Sequence, residues 1–369
     1  MRLPLVRFCA LAASAAVLSA CSNGASGLTT DPGMAPHVAA QSASVSHALR
    51  SHAVESPLIY VANGAVAKGA ASICPAGSAG SVLTYDPDTP NDALYKLCGP
   101  NTSLTAGAAS IAVDSNHRVY VAPYTESGGP TIYEYDSANG DLEPVLINNQ
   151  CCGQEIHSLT VDKDNNLWFT TGTGQQWGAS LIEYPHGATN VTTPTRDIIG
   201  LGNNMFICGG YGVALDSAGN IYLSQDAYGQ TVNGIPYNAQ IVELSPQSGL
   251  NGQSFAIMTR TIGTGYFRFP AQIAIDSKNR ILVADPVVGE VVVFNSDGSL
   301  ATILGGPNDP DAGLVHPYGV AVGPSGFIYV SDYGTNTISG FPATSHGNAG
   351  PSLTISTALL NSPMSISVH

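Results

Sequence analysis

The sequence predicts an all-β fold built from a repeated four-stranded unit, and three observations support this prediction. Five segments repeat the same pattern, in which two short β-rich runs flank a tight polar turn. The 41 glycines and 24 prolines are typical of many short elements joined by turns. Hydrophobic residues make up 44% of the 369, which is enough to bury a large core and excludes a disordered chain.

The repeated unit contains four strands. Its first two runs align at residues 110–121, 158–169, 212–223, 272–283 and 319–330. A third β-rich run follows each of the first four pairs, at residues 132–135, 181–184, 240–244 and 291–294. A weaker fourth run comes next and is clearest at residues 300–304. Four antiparallel strands per unit are typical of a propeller blade.

The two ends of the repeat region complete each other. Asp114 ends the first run of the first copy, and the equivalent position recurs after 48, 54, 60 and 47 residues, the last time as Gly323. A further copy is therefore expected at the end of the chain. Residues 365–369 form a first strand without a second, and residues 58–62 form a second strand without a first. Pairing these two strands closes a ring and removes exposed sheet edges. We therefore predict a six-bladed β-propeller over residues 57–369, closed by the C-terminal strand in the N-terminal blade.

The N-terminal residues predict export and a lipid anchor. Residues 1–20 contain Arg2, Arg7 and a short apolar run, as in a signal peptide. They end in Leu-Ser-Ala before Cys21, which resembles a bacterial lipobox; the alternative is an ordinary cleavage site followed by a chance cysteine. Residues 21–56 are polar, lack periodicity and read as a flexible tether that begins at a lipidated Cys21. We expect an extracytoplasmic protein of the bacterial cell envelope, on a membrane that the sequence does not identify.

The net charge of the chain limits the classes of partner that it is expected to bind. Twelve Lys and Arg stand against 26 Asp and Glu, a net charge of −14. The basic residues are scattered, so no nucleic acid partner is expected. An acidic chain is repelled by anionic head groups, so membrane contact is expected through the lipid anchor alone. The expected partner is a small ligand or an envelope protein, and the chain is expected to be a monomer.

The best copies of the unit resemble the NHL-repeat family. The likeness lies in residues 317–322, 326–332 and 338–341, with a second copy from residue 270 to 285 and at residues 293–294. Relatives of this family include virginiamycin B lyase-like and gluconolactonase-like propellers. The resemblance implies the fold and says little about activity, because this scaffold carries unrelated functions.

A propeller assembles a site from one residue per blade around its axis. The residues just before the innermost strands should ring one mouth of the central channel; they are Ala109, His157, Tyr211, Ala271, Tyr318 and Met364. Of these we predict His157, Tyr211 and Tyr318 as ligand-binding residues. The alternatives are that His157 only fills the channel entrance, or that it acts as a general base beside Glu155.

The resemblance also bears on cofactors. Gluconolactonase relatives hold an axial divalent ion with a Glu, an Asn and an Asp, and the lyase relatives use a histidine and a metal. Neither set can be placed in this sequence, so we predict no cofactor, with an axial divalent cation as the alternative. Residues 162–166 look like the start of a calcium loop, but Leu167 stands where glycine is needed, and a hairpin turn explains them.

Five cysteines remain once Cys9 leaves with the signal peptide and Cys21 carries lipid. Cys98, Cys152 and Cys208 each precede a glycine between blades, so we expect all three at one mouth of the ring. Cys74 falls in the long loop of the first blade, which we expect at that mouth too. We predict a Cys74–Cys98 disulfide and a second bond from Cys208 to Cys151 or Cys152, with Cys152 preferred. A bond between the adjacent Cys151 and Cys152 is the strained alternative.

The function predicted from the sequence is that of a lipid-anchored propeller that binds a ligand or protein at its channel mouth. The sequence contains no motif of the common hydrolases, kinases or dehydrogenases. A metal-assisted lyase or hydrolase and a structural envelope component are the alternatives.

Overall fold

The computed structural model describes the propeller region with short gaps. The described residues are 57–64, 80–105, 107–123, 131–148, 155–172, 180–190, 192–201, 205–206, 210–225, 231–232, 235–236, 239–307, 309–347 and 349–369. The predicted signal peptide (1–20), the tether (21–56) and Cys21 lie outside them. No helix in these described ranges is long and apolar enough to cross a membrane.

Twenty-nine strands are described, and most of them form six four-stranded antiparallel sheets. Blade 1 contains β1 (Ile59–Asn63), β2 (Ser81–Tyr85) and β3 (Tyr95–Leu97). Blade 2 contains β4 (Ala108–Val113), β5 (Val119–Pro123), β6 (Thr131–Tyr135) and β7 (Val145–Asn148). Blade 3 contains β8 (Glu155–Val161), β9 (Leu167–Gly172), β10 (Ser180–Tyr184) and β11 (Arg196–Ile198).

Blade 4 is interrupted by short strands that lie outside its main sheet. The short strands β12 (Gly200–Leu201) and β13 (Met205–Phe206) precede β14 (Gly210–Leu215) and β15 (Ile221–Gln225). The hairpin of β16 (Thr231–Val232) and β17 (Ile235–Pro236) precedes β18 (Gln240–Leu244), and β19 (Phe255–Ala256) precedes β20 (Met258–Ile262). The blade itself has the order β14-β15-β18-β20.

The last two blades are regular, and the final strand belongs to the first blade. Blade 5 contains β21 (Ile273–Ile275), β22 (Ile281–Asp285), β23 (Glu290–Phe294) and β24 (Leu300–Gly305). Blade 6 contains β25 (Pro317–Val322), β26 (Ile328–Asp332), β27 (Thr337–Phe341) and β28 (Leu353–Ile355). The last strand is β29 (Pro363–Val368), and three short 3₁₀ turns lie at Pro100–Thr102, Leu250–Gly252 and Pro310–Ala312.

The ring closes as the sequence predicted. Strand β29 pairs antiparallel with β1, so blade 1 has the order β29-β1-β2-β3. The pairing places Ile366 opposite Val61, and two hydrogen bonds between the backbones of Leu58 and His369 extend it. The prediction of a six-bladed propeller closed by its C-terminal strand is confirmed.

The core lies between the blades, because each blade is buried on both faces. Successive residues of a strand point to opposite faces, so the strands read as unbroken apolar runs. In β22, Ile281 and Val283 pack in the cluster shared with blade 4, while Leu282 and Ala284 pack in the cluster shared with blade 6. This double burial explains why the sequence shows short apolar runs where a half-exposed sheet would show alternation.

A set of serine hydroxyls joins the innermost strands of neighbouring blades. In blades 1, 2 and 3 the serine lies on the innermost strand, and its Oγ accepts a hydrogen bond from a backbone N–H of the next blade. These serines are Ser365, Ser110 and Ser158. In blades 4 and 6 the innermost strand has a glycine, and a serine twelve residues later donates to a carbonyl of the next blade. These pairs are Gly212 with Ser224 and Gly319 with Ser331.

The turns between first and second strands are built on aspartate carboxylates. Asp162 Oδ1 accepts hydrogen bonds from the backbone N–H groups of Asp164 and Asn166. Its Oδ2 accepts from the side chains of Asn166 and Trp168. Both carboxylate oxygens therefore serve the turn, which agrees with the hairpin interpretation of residues 162–166.

The cysteine predictions fall mostly outside the described residues. Cys98 follows β3 and is disulfide-bonded. Cys74, Cys151, Cys152 and Cys208 lie outside the described residues. The pairing of Cys98 with Cys74 and that of Cys208 with Cys152 or Cys151 therefore stay predictions.

Candidate functional site

Irregular pairing places the predicted site residues at one end of the ring. The innermost strands all begin at one end of the axial channel, and we call this end the mouth. In blades 2, 3 and 6 one extra residue interrupts the pairing of the first two strands, and these residues are Ala109, His157 and Tyr318. In blades 4 and 1 the shift falls at Tyr211 and Met364. A β-bulge re-aims a side chain, and all five residues are partly exposed.

Three aromatic rings are in contact on one side of the mouth, and we call them the His157 group. The ring centroids of His157 and Tyr211 are 4.6 Å apart, and those of Tyr211 and Phe269 are also 4.6 Å apart. Phe269 lies in the loop before β21, so the group connects blades 3, 4 and 5. Such tilted contacts are favourable for aromatic pairs.

Burial makes His157 neutral. Desolvation lowers the pKa of its imidazole to about 4, so the ring is uncharged at neutral pH. A Cβ on Gly172 would lie 2.8 Å from His157 Nε2, so a larger residue there would displace the imidazole ring. The ring nitrogens of His157 make no hydrogen bond within the part of the chain that the structure describes. Glu155 is exposed, and no hydrogen bond links it to His157 in these ranges.

A second aromatic set, which we call the Tyr333 group, lies on blade 6. His316 and Tyr333 are stacked with an interplanar angle of 16° and centroids 5.1 Å apart. Tyr318 meets Tyr333 edge-on with centroids 6.4 Å apart. His316 is exposed, and the two tyrosines are partly exposed. The group therefore presents ring surface from the channel mouth outwards over blade 6.

Two buried aspartates fix the loops that carry these rings. Asp285 Oδ2 accepts hydrogen bonds from the N–H groups of Arg268 and Phe269, and its Oδ1 accepts from Val287 and Val288. Asp332 accepts in the same way from four backbone N–H groups, which belong to Val315, His316, Gly334 and Thr335. Both carboxylates are completely buried. They hold Phe269 and the pair of His316 and Tyr333 in place.

In blade 5 the mouth residue differs from the prediction. Ala271 is at the expected position, but it is completely buried and gives the mouth no surface. The neighbouring Gln272 is partly exposed instead. Its Nε2 donates to the carbonyl of Ile366 at 2.9 Å, and its Oε1 accepts from the N–H of Ile366 at 3.2 Å. The amide thereby links β21 to β29, with which β21 shares no backbone pairing.

Below the mouth lies an axial cavity of about 240 Å³. All six innermost strands line it, and each is paired to a neighbour on one edge only. The free edges face the axis, so peptide N–H and C=O groups form much of the wall. Gln272 also borders this cavity. Its side chain therefore lies between the mouth above and the cavity below.

The residues at the mouth do not fit a divalent cation. The six residues at the expected positions include one histidine and no carboxylate, too few donors for Zn²⁺ or Ca²⁺. The nearby carboxylates of Asp285 and Asp332 each accept four backbone hydrogen bonds. Among the described residues, no three His, Cys, Asp or Glu side chains are placed to bind a metal together.

The structure brings some predicted residues together and separates others. His157 and Tyr211 are in direct contact, whereas Tyr318 belongs to the Tyr333 group on blade 6. Sequence reasoning missed Phe269, His316, Tyr333 and Gln272. A signal existed for Tyr333, since it directly follows the repeat's aspartate Asp332.

The comparisons with known proteins agree with this architecture. The sequence model of the NHL-repeat family matches residues 314–341, which span most of blade 6. No curated protein matches the sequence. A protein of unknown function from Bacteroides caccae is similar in structure, with a TM-score of 0.56, 11% identity, and 85% of this chain and 99% of that chain covered.

Two further solved structures are similar. The nidogen/laminin complex has a TM-score of 0.53 at 16% identity and covers 85% of this chain and 97% of that chain. Virginiamycin B lyase from Staphylococcus aureus has a TM-score of 0.42 at 13% identity, with 68% and 70% covered. The chain is a six-bladed β-propeller that carries an NHL repeat in its sixth blade.

Proposed function

We propose that the protein is a binding module of the bacterial cell envelope that takes a small ligand or a protein segment at the channel mouth. The observation that carries this proposal is the convergence of six exposed or partly exposed aromatic side chains at one end of the ring. They come from blades 3, 4 and 6 and the loop before blade 5. Aromatic side chains supply large contact areas at low entropic cost, which suits recognition.

The chemistry of the mouth favours binding over catalysis. His157 is neutral, and Glu155 does not orient it through a hydrogen bond in the described ranges. A general base normally has such a partner and a pKa near the working pH. A neutral histidine with ring nitrogens not engaged by the described residues can still accept or donate one hydrogen bond to a ligand.

Replacing Tyr211 and Tyr318 together by Ala is expected to abolish ligand binding while the propeller stays folded. Both rings are partly exposed, so their loss should cost less than the ~3–5 kcal/mol of a truncated core aromatic. The measurement is a thermal-shift screen of a chemically broad compound library on the wild type and on the variant. Compounds that raise the wild-type midpoint should leave the midpoint of the variant unchanged.

A matched control replaces Tyr266 by Ala. Tyr266 is 46% exposed, but its ring packs on Phe294 and does not belong to either aromatic group. The control should respond to compounds as the wild type does. A large fall in the midpoint of the double variant, with no compound bound by the wild type, would show that the tyrosines serve packing alone.

We further propose that Cys21 carries the lipid that holds the module at a membrane. Cys21→Ser is expected to move the protein from the membrane fraction to the soluble fraction, because stable attachment needs two or more acyl chains. Fractionation after salt and carbonate washing measures this. Ser22→Ala keeps the thiol and should stay with the membrane. A Cys21→Ser protein that resists the washes would contradict the anchor.

A further inference from the structure

The mouth residues share a chemical character that narrows the ligand class. The His157 group, the Tyr333 group and Gln272 comprise seven side chains, and none of them is a carboxylate, a lysine or an arginine. The carboxylates of Asp285 and Asp332 lie beside them but are completely buried and bound to backbone N–H groups. A charged ligand would therefore lose hydration without gaining a counter-charge from these side chains.

Gln272 presents a fixed donor and a fixed acceptor at the floor of the mouth. Its amide is oriented by two hydrogen bonds to the backbone of Ile366, one through Nε2 and one through Oε1. An amide nitrogen has two hydrogens and an amide oxygen has two lone pairs. One hydrogen and one lone pair therefore remain, on opposite sides of the amide, and both have fixed directions. Each of them can bond one hydroxyl group, which accepts from Nε2 or donates to Oε1.

The aromatic groups stand on either side of this floor. The His157 group approaches from blades 3 and 4, and the Tyr333 group lies on blade 6 beyond blade 5, which carries Gln272. Phe269 and His316 are held by the hydrogen bonds to Asp285 and Asp332, so their positions are set before a ligand arrives. A preorganised surface of this kind suits a ligand that has apolar ring faces and hydroxyl edges.

We infer that the mouth binds an uncharged saccharide, with sugar faces on the two aromatic groups and hydroxyl groups hydrogen-bonded to Gln272 and His157. The inference rests on the proposed function and names the ligand of that site. Pyranose rings combine C–H faces, which pack on aromatic rings, with hydroxyl groups around the ring edge that both donate and accept hydrogen bonds. An aromatic ligand would use the rings but leave the oriented amide of Gln272 unpaired, which costs binding energy.

Isothermal titration calorimetry with defined sugars tests the inference. The probes are the neutral hexasaccharides cellohexaose, maltohexaose and chitohexaose, and the anionic hexagalacturonate. We expect at least one neutral probe to bind and hexagalacturonate not to bind. Gln272→Glu introduces a charge and removes the donor, and His316→Ala removes an exposed ring. Each change should lower the affinity for the neutral sugar by about tenfold or more, which corresponds to the loss of one good contact.

The control and the second variant keep the outcome decisive. Tyr266→Ala should bind the sugar as the wild type does. His316 is exposed, so its substitution tests the site even where Gln272→Glu fails to fold. Binding of hexagalacturonate as strong as that of the neutral probes, no binding of any neutral probe at millimolar concentration, or unchanged affinity in the His316→Ala variant would overturn the inference.

The outcomes also separate this inference from the proposed function. Suppose that no neutral sugar binds, but the compound screen finds a ligand that the Tyr211 and Tyr318 double variant no longer binds. The inference of a saccharide ligand is then wrong, and the proposal of a binding module is still supported. If the screen finds no ligand either, the inference and the proposed function are both contradicted.

Discussion

Deletion of residues 362–369 is expected to abolish cooperative folding of the propeller. The deletion removes β29, which leaves β1 unpaired on its inner edge and removes the buried Ile366. Burial of such a side chain is worth about 1.5–3 kcal/mol. The acceptors for Ile111 N–H and for the Ser331 hydroxyl are lost as well. Against a typical margin of about 5–15 kcal/mol, these losses together are severe.

A circular permutant provides the matched control for this deletion. Joining residue 369 to residue 57 by a short linker and opening the chain in the exposed turn at His346 keeps every strand. The permutant should show a cooperative thermal transition by circular dichroism, and the truncated chain should show none. A truncated chain that unfolds at the wild-type midpoint would mean that the C-terminal strand does not close the ring.

Asp332→Ala is expected to lower the free energy of unfolding by about 3–5 kcal/mol and to weaken ligand binding. Four backbone N–H groups lose their acceptor, and hydrogen bonds to charged groups are worth about 1.5–3 kcal/mol each. The full sum is not expected, because water can reach part of the opened turn. The same N–H groups fix His316 and the turn after Tyr333, so the Tyr333 group should lose its order. Urea unfolding gives the free energy.

Asp311→Ala is the control for Asp332→Ala. Asp311 is an exposed acid in the same connection between blades 5 and 6, and its removal should change stability by no more than about 0.5 kcal/mol. A comparable loss in both variants would show that net charge, and not the four hydrogen bonds, sets the effect.

The sequence predicted the fold well because the fold depends on local patterns. The paired β-rich runs and their aspartate turns repeat along the chain, and the two unpaired strands at residues 58–62 and 365–369 could be matched by counting. The mouth positions of His157, Tyr211 and Tyr318 followed from their equivalent places in the repeat, just before the innermost strand. The structure places each of them at an irregular step between the first and second strands.

The finer structure of the mouth depends on contacts that are distant in sequence. Gln272 is fixed by Ile366, 94 residues later, across blade 6. Ala271 was expected at the mouth because it has the right phase, but its short side chain is buried there. Phe269 and His316 lie in loops whose course is set by hydrogen bonds to aspartates 16 residues away. The position of a residue within the repeat does not reveal any of these contacts.

The two ways of joining neighbouring blades through a serine restrict how this sequence can evolve. A Cβ on Gly212 would lie 2.3 Å from the carbonyl oxygen of Ala271 and 2.9 Å from Ser224 Oγ. A Cβ on Gly319 would lie 2.3 Å from Ser331 Oγ and 2.5 Å from the carbonyl oxygen of Met364. A blade can therefore exchange one arrangement for the other only by changing two positions twelve residues apart, and either single step passes through a clash or a lost hydroxyl. Sites coupled in this way should covary among homologues, and blades grafted between such proteins should keep both members of the pair.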